Sequence, residues 1–253
     1  MHITDKTIVV WFSCGAASAV AAKLTIEKYG GDNTIRIVNN PIAEEDVDNR
    51  RFLLDVEEWL GLPVETATHP DWPSNSAVDI WEWKQYMSGI HGAPCTMYLK
   101  KHARYHWEEN NHADWNVLGF TLEEVGRHDR FVLNERDNVI PVLIDAKLTK
   151  ADCYMHLLDA GLKLPRIYTE KGYPNANCIG CVKATSPTYW NHVRKEDPEV
   201  FKQRADQSLA IGAKLVRYKG ERIQLHELPP DAVGRPMKTM NIECGIFCEE
   251  REF

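Results

Sequence analysis

Thr7 to Phe12, TIVVWF, form an unbroken β-branched and aromatic run, and the next six residues, Ser13 to Ser18, are all small. Ala19 to Tyr29 then carries apolar residues at helical spacing, Gly30 and Gly31 stop it, and Thr34 to Val38 reads as a second strand. Strand, small-residue turn, helix and strand in forty residues are the opening of a parallel α/β sheet. Asp46 to Leu60 continues as an amphipathic helix with Phe52, Val56, Trp59 and Leu60 on one side, ended by Gly61 ahead of a short strand, Val64 to Ala67. Asn116 to Gly119 and Val139 to Ile144 read as further buried strands, and Thr149 as the N-cap of a helix running through Cys153 to Ala160. The expected fold is α/β, a doubly wound and mainly parallel sheet over residues 1–170.

After Tyr173 the character changes to a Pro, Asn and Cys cluster, helices from Pro187 to Arg194 and from Pro198 to Gly212, and an irregular polar tail. Residues 171–253 are expected to form a C-terminal extension over the sheet's carboxyl edge, where open α/β folds place their reactive groups.

Composition narrows the class. Of 253 residues, 43% are hydrophobic and 26% charged, no apolar run reaches spanning length, and no basic-then-apolar leader opens the chain, so a cytoplasmic, membrane-free protein is expected. In that compartment seven cysteines, an odd number, read as metal ligands or reactive thiols in preference to a disulfide framework. A net charge of −7 gives no overall nucleic-acid footprint, although a local basic patch can still hold a phosphorylated small molecule or an RNA.

Three segments carry chemistry. The loop Ser13-Cys14-Gly15-Ala16-Ala17-Ser18 follows a strand and opens a helix, so its backbone amides can hold phosphate or sulfate oxygens; small residues also occur at such turns for packing alone. Asn177-Cys178-Ile179-Gly180-Cys181 is a tight C-x-x-C, compatible with zinc, an iron-sulfur centre, a redox dithiol or none of these. The tail Glu243-Cys244-Gly245-Ile246-Phe247-Cys248 follows Arg235 and Lys238. A cysteine beside a glycine there suits a delivered thiolate nucleophile, its pKa of about 8.5 lowered by cations, or a packed or metal-bound pair.

The tail from Gly234 to Phe247 resembles the E-C-G-[IL]-H signature of the sulfonucleotide reductases, which reduce phosphoadenylyl or adenylyl sulfate to sulfite; Phe247 stands at the histidine position. The first loop is similar to the S-G-G-x-D-S motif of the PP-loop pyrophosphatases, or adenine nucleotide alpha hydrolase-like superfamily, which holds those reductases and tRNA thiolation enzymes. Ser13, Gly15 and Ser18 match, while Cys14 and Ala17 replace a glycine and an aspartate. Loss of that carboxylate favours binding a nucleotide without splitting its pyrophosphate. Asn39 and the acids Glu44, Glu45 and Asp46 fall where the superfamily meets adenosine. Pro94 to Lys100 resembles C-[CT]-x-x-[LR]-K, and Gly119 to Glu124 followed by Arg127 and Arg130 resembles G-x-R-x-x-E-S-x-x-R.

The resemblance implies specific roles. Ser13 to Ser18 and Asn39 would bind an adenine nucleotide substrate, with Lys100, Arg127, Arg130, Arg235 and Lys238 around its sulfate. Cys244 would attack sulfur, and a thioredoxin-type dithiol would release sulfite and regenerate the thiol. Cys95, Cys178 and Cys181 match three of the four ligands of a [4Fe-4S] cluster, with Thr96 at the fourth position and Cys248 as substitute. Zinc on Cys95, Cys178, Cys181 and Cys248 is the alternative. A homo-oligomer is also expected. Two other functions stay open: ATP-dependent sulfur transfer to a nucleobase or nucleic acid, and a non-catalytic, metal-bound nucleotide sensor.

Overall fold

A computed structural model describes residues 3–89 and 92–239. In chain order the elements are β1 (Thr7–Phe12), α1 (Ala16–Tyr29), β2 (Thr34–Asn39), α2 (Asn49–Leu60), β3 (Val64–Thr66) and α3 (Ala77–Lys84). A π-helical turn, Thr96–Lys101, leads into α4 (His102–Glu109), followed by β4 (Trp115–Val117), α5 (Val125–Asn134), α6 (Val142–Asp145), α7 (Lys150–Asp159) and α8 (Arg166–Thr169). The remainder holds α9 (Pro187–Glu196), α10 (Pro198–Ile211) and the strands β5 (Val216–Tyr218) and β6 (Glu221–Ile223).

β3, β2, β1 and β4 form a four-stranded sheet in that spatial order, all pairs parallel. Side chains alternate across a strand, and β1 uses both faces. Ile8, Val10 and Phe12 join a core with α1, α2 and α7, while Val9 and Trp11 join another with Trp107 of α4 and Phe131 of α5. The sheet is therefore covered on both sides, as the apolar run required.

Phe52, Val56 and Leu60 are buried on α2, with Trp59 partly buried beside them. The helix starts at Asn49 and not at Asp46, because the Asp48 amide donates to the Asp46 carboxylate in a tight turn. Thr149 caps α7 as expected, in a reciprocal pairing with Asp152.

Two expectations are corrected. Val139 to Ile144 is not a strand: Val139 makes a single parallel bridge to Asn116, and Val142–Asp145 is helical. Pro141 has no amide to donate and ends the ladder there. The tail after α10 is not wholly irregular either. β5 and β6 form an antiparallel hairpin around Lys219 and Gly220, both at positive φ, as a two-residue turn demands.

Another core joins Ile42, Trp81 and Leu99 to Cys181, Trp190 and Leu225. It takes residues from both sides of position 170. Among the described residues no helix is long and apolar enough to cross a membrane.

Candidate functional site

The turn between β1 and α1 lies where β1 has β2 on one side and β4 on the other, the point at which connections leave in opposite directions and open a crevice. Cys14 adopts a left-handed φ of 55° and reverses the chain. Asn39 holds it from the end of β2, its Nδ2 donating to the Phe12 carbonyl at 2.8 Å and lying 3.5 Å from Cys14 Sγ. Ser18 Oγ donates to the Gly15 carbonyl (2.9 Å), accepts from the Ser13 amide (3.2 Å) and lies 3.2 Å from Ser13 Oγ. These bonds preform the loop.

The 14-residue helix α1 starts on Gly15 with no side-chain cap and no acidic residue in its first turn. Its first amides keep their partial positive charge, which suits a phosphate or sulfate group. Gly119, just past β4, presses on the loop from the crevice side: a Cβ there would stand 2.8 Å from Ser18 N and 3.0 Å from the Ala17 carbonyl carbon. Opposite, a Cβ on Gly15 would meet the Tyr168 hydroxyl at 3.2 Å.

Lys100 enters from the π-helical turn, a rare geometry that concentrates at functional sites. Its Nζ is 3.6 Å from Glu45 Oε1, with both side chains about nine-tenths buried. Burial pushes the Glu45 carboxyl above its ordinary range, against Lys100 and a hydrogen bond from Asn49. Burial, reinforced by Glu45 and opposed by Lys100, raises the Cys14 thiol far above normal, so Cys14 is a neutral packing thiol. Asp46, next to Glu45, binds Arg166 through two hydrogen bonds (2.7 and 3.2 Å) and Lys171 at 3.4 Å, tying residues 46–48 to α8.

The other expected cations differ in setting. Arg127 donates to Glu124 at 2.7 Å and lies over the Phe120 ring, while Arg130 is exposed one turn later. Arg235 and Lys238 are exposed on a segment fastened to α9: the Gly234 amide donates to Thr188 Oγ1 at 2.9 Å and Ser186 Oγ to the Arg235 carbonyl at 2.8 Å. Cys244, Cys248 and Phe247 lie outside the described residues.

Cys181 belongs to the core of Trp81 and Trp190, Cys95 and Cys178 pack against it, and among the described residues none of the three is in a disulfide. Among the described residues no group of three or more His, Cys, Asp or Glu is placed to hold a metal ion, and Cys248, the other expected ligand, lies outside them. The surroundings nevertheless fit an anionic group. Arg204 is 2% exposed, its Nε has no hydrogen-bond partner, and both C-x-x-C thiols bear on its charge. The Cys181 amide donates to the Tyr189 hydroxyl at 2.8 Å and anchors the turn. Thiolate sulfur could ligate a soft metal here, with Arg204 balancing its charge.

Sequence reasoning missed Arg204, because a lone arginine in an amphipathic helix carries no signal of burial. It also missed a ridge of rings beyond β3. Trp72, Trp83 and Tyr98 lie 5.0 to 6.1 Å apart, and His102 continues the series 5.0 Å from Tyr98. Trp83 is 55% exposed, with Lys84 Nζ 4.2 Å from its ring. The aromatic count gave no hint of it, since most aromatics are core.

No family model matches the chain. No curated protein matches it either. Among solved structures it is similar to the U34-tRNA thiolase NcsA from Methanococcus maripaludis with its [4Fe-4S] cluster, at 12% identity over 99% of this chain and 82% of that one, with a TM-score of 0.48.

Proposed function

We propose that the chain is an adenine-nucleotide-dependent enzyme of sulfur chemistry that transfers sulfur to a nucleobase, free or within a nucleic acid. The observation that carries the nucleotide part is the acid-free N-terminus of α1, which begins on a glycine without a side-chain cap, at the β1/β4 crevice closed by Gly119 and flanked by the Lys100–Glu45 pair. The ring ridge supports a nucleobase acceptor, since its one well-exposed ring, Trp83, lies beside Lys84 and can stack on an unpaired base. The C-x-x-C thiols beside Arg204 support a sulfur or cluster site.

In this reading the base oxygen attacks the α-phosphorus of ATP and pyrophosphate leaves. Sulfide then displaces AMP from the activated carbon, and the oxygen departs with AMP. The loop amides and Lys100 hold the phosphates and stabilise the leaving charge. A metal held by the C-x-x-C thiols Cys178 and Cys181 would supply a site for sulfide.

A second reading is favoured by Ala17 and the absence of any carboxylate in the first turn of α1: reduction of a sulfonucleotide. Cys244 thiolate attacks sulfur, the nucleotide phosphate leaves, and an external dithiol attacks Cys244 to release sulfite as it is oxidised to a disulfide. Anaerobic protein incubated with ATP, sulfide and RNA, or with adenylyl sulfate and a dithiol, separates the two. Pyrophosphate with thiolated base supports transfer; sulfite lost in Cys244→Ser supports reduction. Neither product in either assay would sink both.

A further inference from the structure

We propose that Arg204 is the buried counter-charge of a dithiolate formed by Cys178 and Cys181, a positioning residue that prepares the C-x-x-C turn for a thiophilic cation. The inference rests on the reading of that motif as a sulfur or metal site. Arg204 projects from α10 toward Trp81, in the core that also holds Cys181 and Trp190, and is 2% exposed. Nη1 donates to Gln207 Oε1 at 2.7 Å and the guanidinium lies 4.7 Å from the Trp81 ring centroid, yet Nε has no acceptor and no ion pair forms among the described residues. Glu44, the carboxylate nearest in influence, is committed elsewhere: it accepts from Ser76 Oγ and the Ala77 amide, both at 2.8 Å, and caps α3.

A guanidinium taken out of water without an anion is strongly unfavourable, so the site has a reason to contain one. The C-x-x-C turn is built to supply it. Gly180 is left-handed at φ 68°, and a Cβ there would stand 3.2 Å from Arg204 Cγ and 3.6 Å from Nε, so glycine lets this turn lie directly on the arginine. Cys178 and Cys181 flank that glycine, and once deprotonated both favour the Arg204 charge. When a divalent soft metal binds, two sulfur–metal bonds form and two thiol protons leave to solvent. Arg204 then faces anionic sulfur in place of neutral thiol.

The test uses the full-length, reduced, metal-free chain and cobalt(II) alone, followed through thiolate-to-cobalt charge-transfer absorption, with Cys178→Ser as control. Arg204→Met keeps the packing on Trp81 and should weaken cobalt binding about tenfold or more. Arg204→Lys should recover most of that loss. Without metal, Arg204→Met should melt no lower than the parent, because an unbalanced buried cation has gone. Unchanged cobalt affinity in Arg204→Met overturns the role of Arg204 alone, as does a lower melting point of its metal-free form. A parent chain with no Cys178-dependent cobalt binding overturns the thiol site as well. Failure of the pyrophosphate and sulfite assays would bear on the reaction and leave this result standing.

Discussion

Gly119 and Ser18 approach so closely that a Cβ on Gly119 would stand 2.8 Å from the Ser18 backbone nitrogen. That contact locks the end of β4 onto the first turn of α1. Gly119→Ala must push the two apart, and overpacking of this kind costs about 1–3 kcal/mol. Nucleotide affinity should fall about tenfold or more, because the displaced amides are those expected to hold phosphate. Equilibrium binding of ATP and of adenylyl sulfate, beside urea unfolding, checks both numbers. Unaltered affinity in a destabilised variant would move the phosphate site away from this loop.

Lys100 supports Glu45 across 3.6 Å in a buried setting. The folded carboxyl of Glu45 is already raised by burial, so its contribution favours folding at low pH and weakens as pH rises through the folded value. Lys100→Met removes the cation that opposes this rise. Its stability deficit against the parent should therefore grow as pH climbs above about 4.3, the ordinary glutamate value. Melting temperatures of both proteins from pH 4 to 8, buffered at constant ionic strength, would reveal a pH-independent difference if the pair were not coupled.

The sequence exposed the sheet more readily than the site. β1 is legible because a strand buried on both faces needs apolar residues at consecutive positions, and the run from Ile8 to Phe12 is entirely buried. α7 is legible because Thr149 and Asp152 sit at the spacing that satisfies two orphan amides. The stretch from Val139 to Ile144 has the same apolar signal as a strand, and only the missing Pro141 amide separates it from one. The loop 13–18 was readable as an anion site, but the contacts that shape it come from Gly119 and Tyr168, about a hundred residues and more further on. Arg204 was not readable at all, since its significance is a burial that only the tertiary packing of α10 creates.

Asp46 and Arg166 join two distant segments through a pair of hydrogen bonds, and Lys171 adds a second cation. Burial works against the Asp46 carboxylate, but those partners hold it below its ordinary range, and Arg51 does the same for Asp48. A depressed folded value means this stability is present above about pH 3.9, the unfolded aspartate value, and is lost as pH falls through the folded one. Asp46→Asn should cost about 2–3 kcal/mol at pH 7 and flatten the acid limb of the stability curve. An acid limb identical in the variant would show that other carboxylates drive acid unfolding.

Cys14 and Cys153 are both buried, and burial raises both thiols, Cys153 to about 12. Only the thiolate attacks, so at pH 8 neither residue offers an appreciable nucleophile in the folded chain. Brief alkylation of native protein with iodoacetamide, read by peptide mass spectrometry, should leave these two unlabelled. The same reagent in urea should modify both. Protection matters to the function because Cys14 sits in the loop expected to meet nucleotide, where a reactive thiol would compete with any cysteine delivered from elsewhere. Labelling of native Cys14 at the urea rate would mean that the loop opens faster than it is alkylated, and its hydrogen-bonded geometry would then not be the resting state.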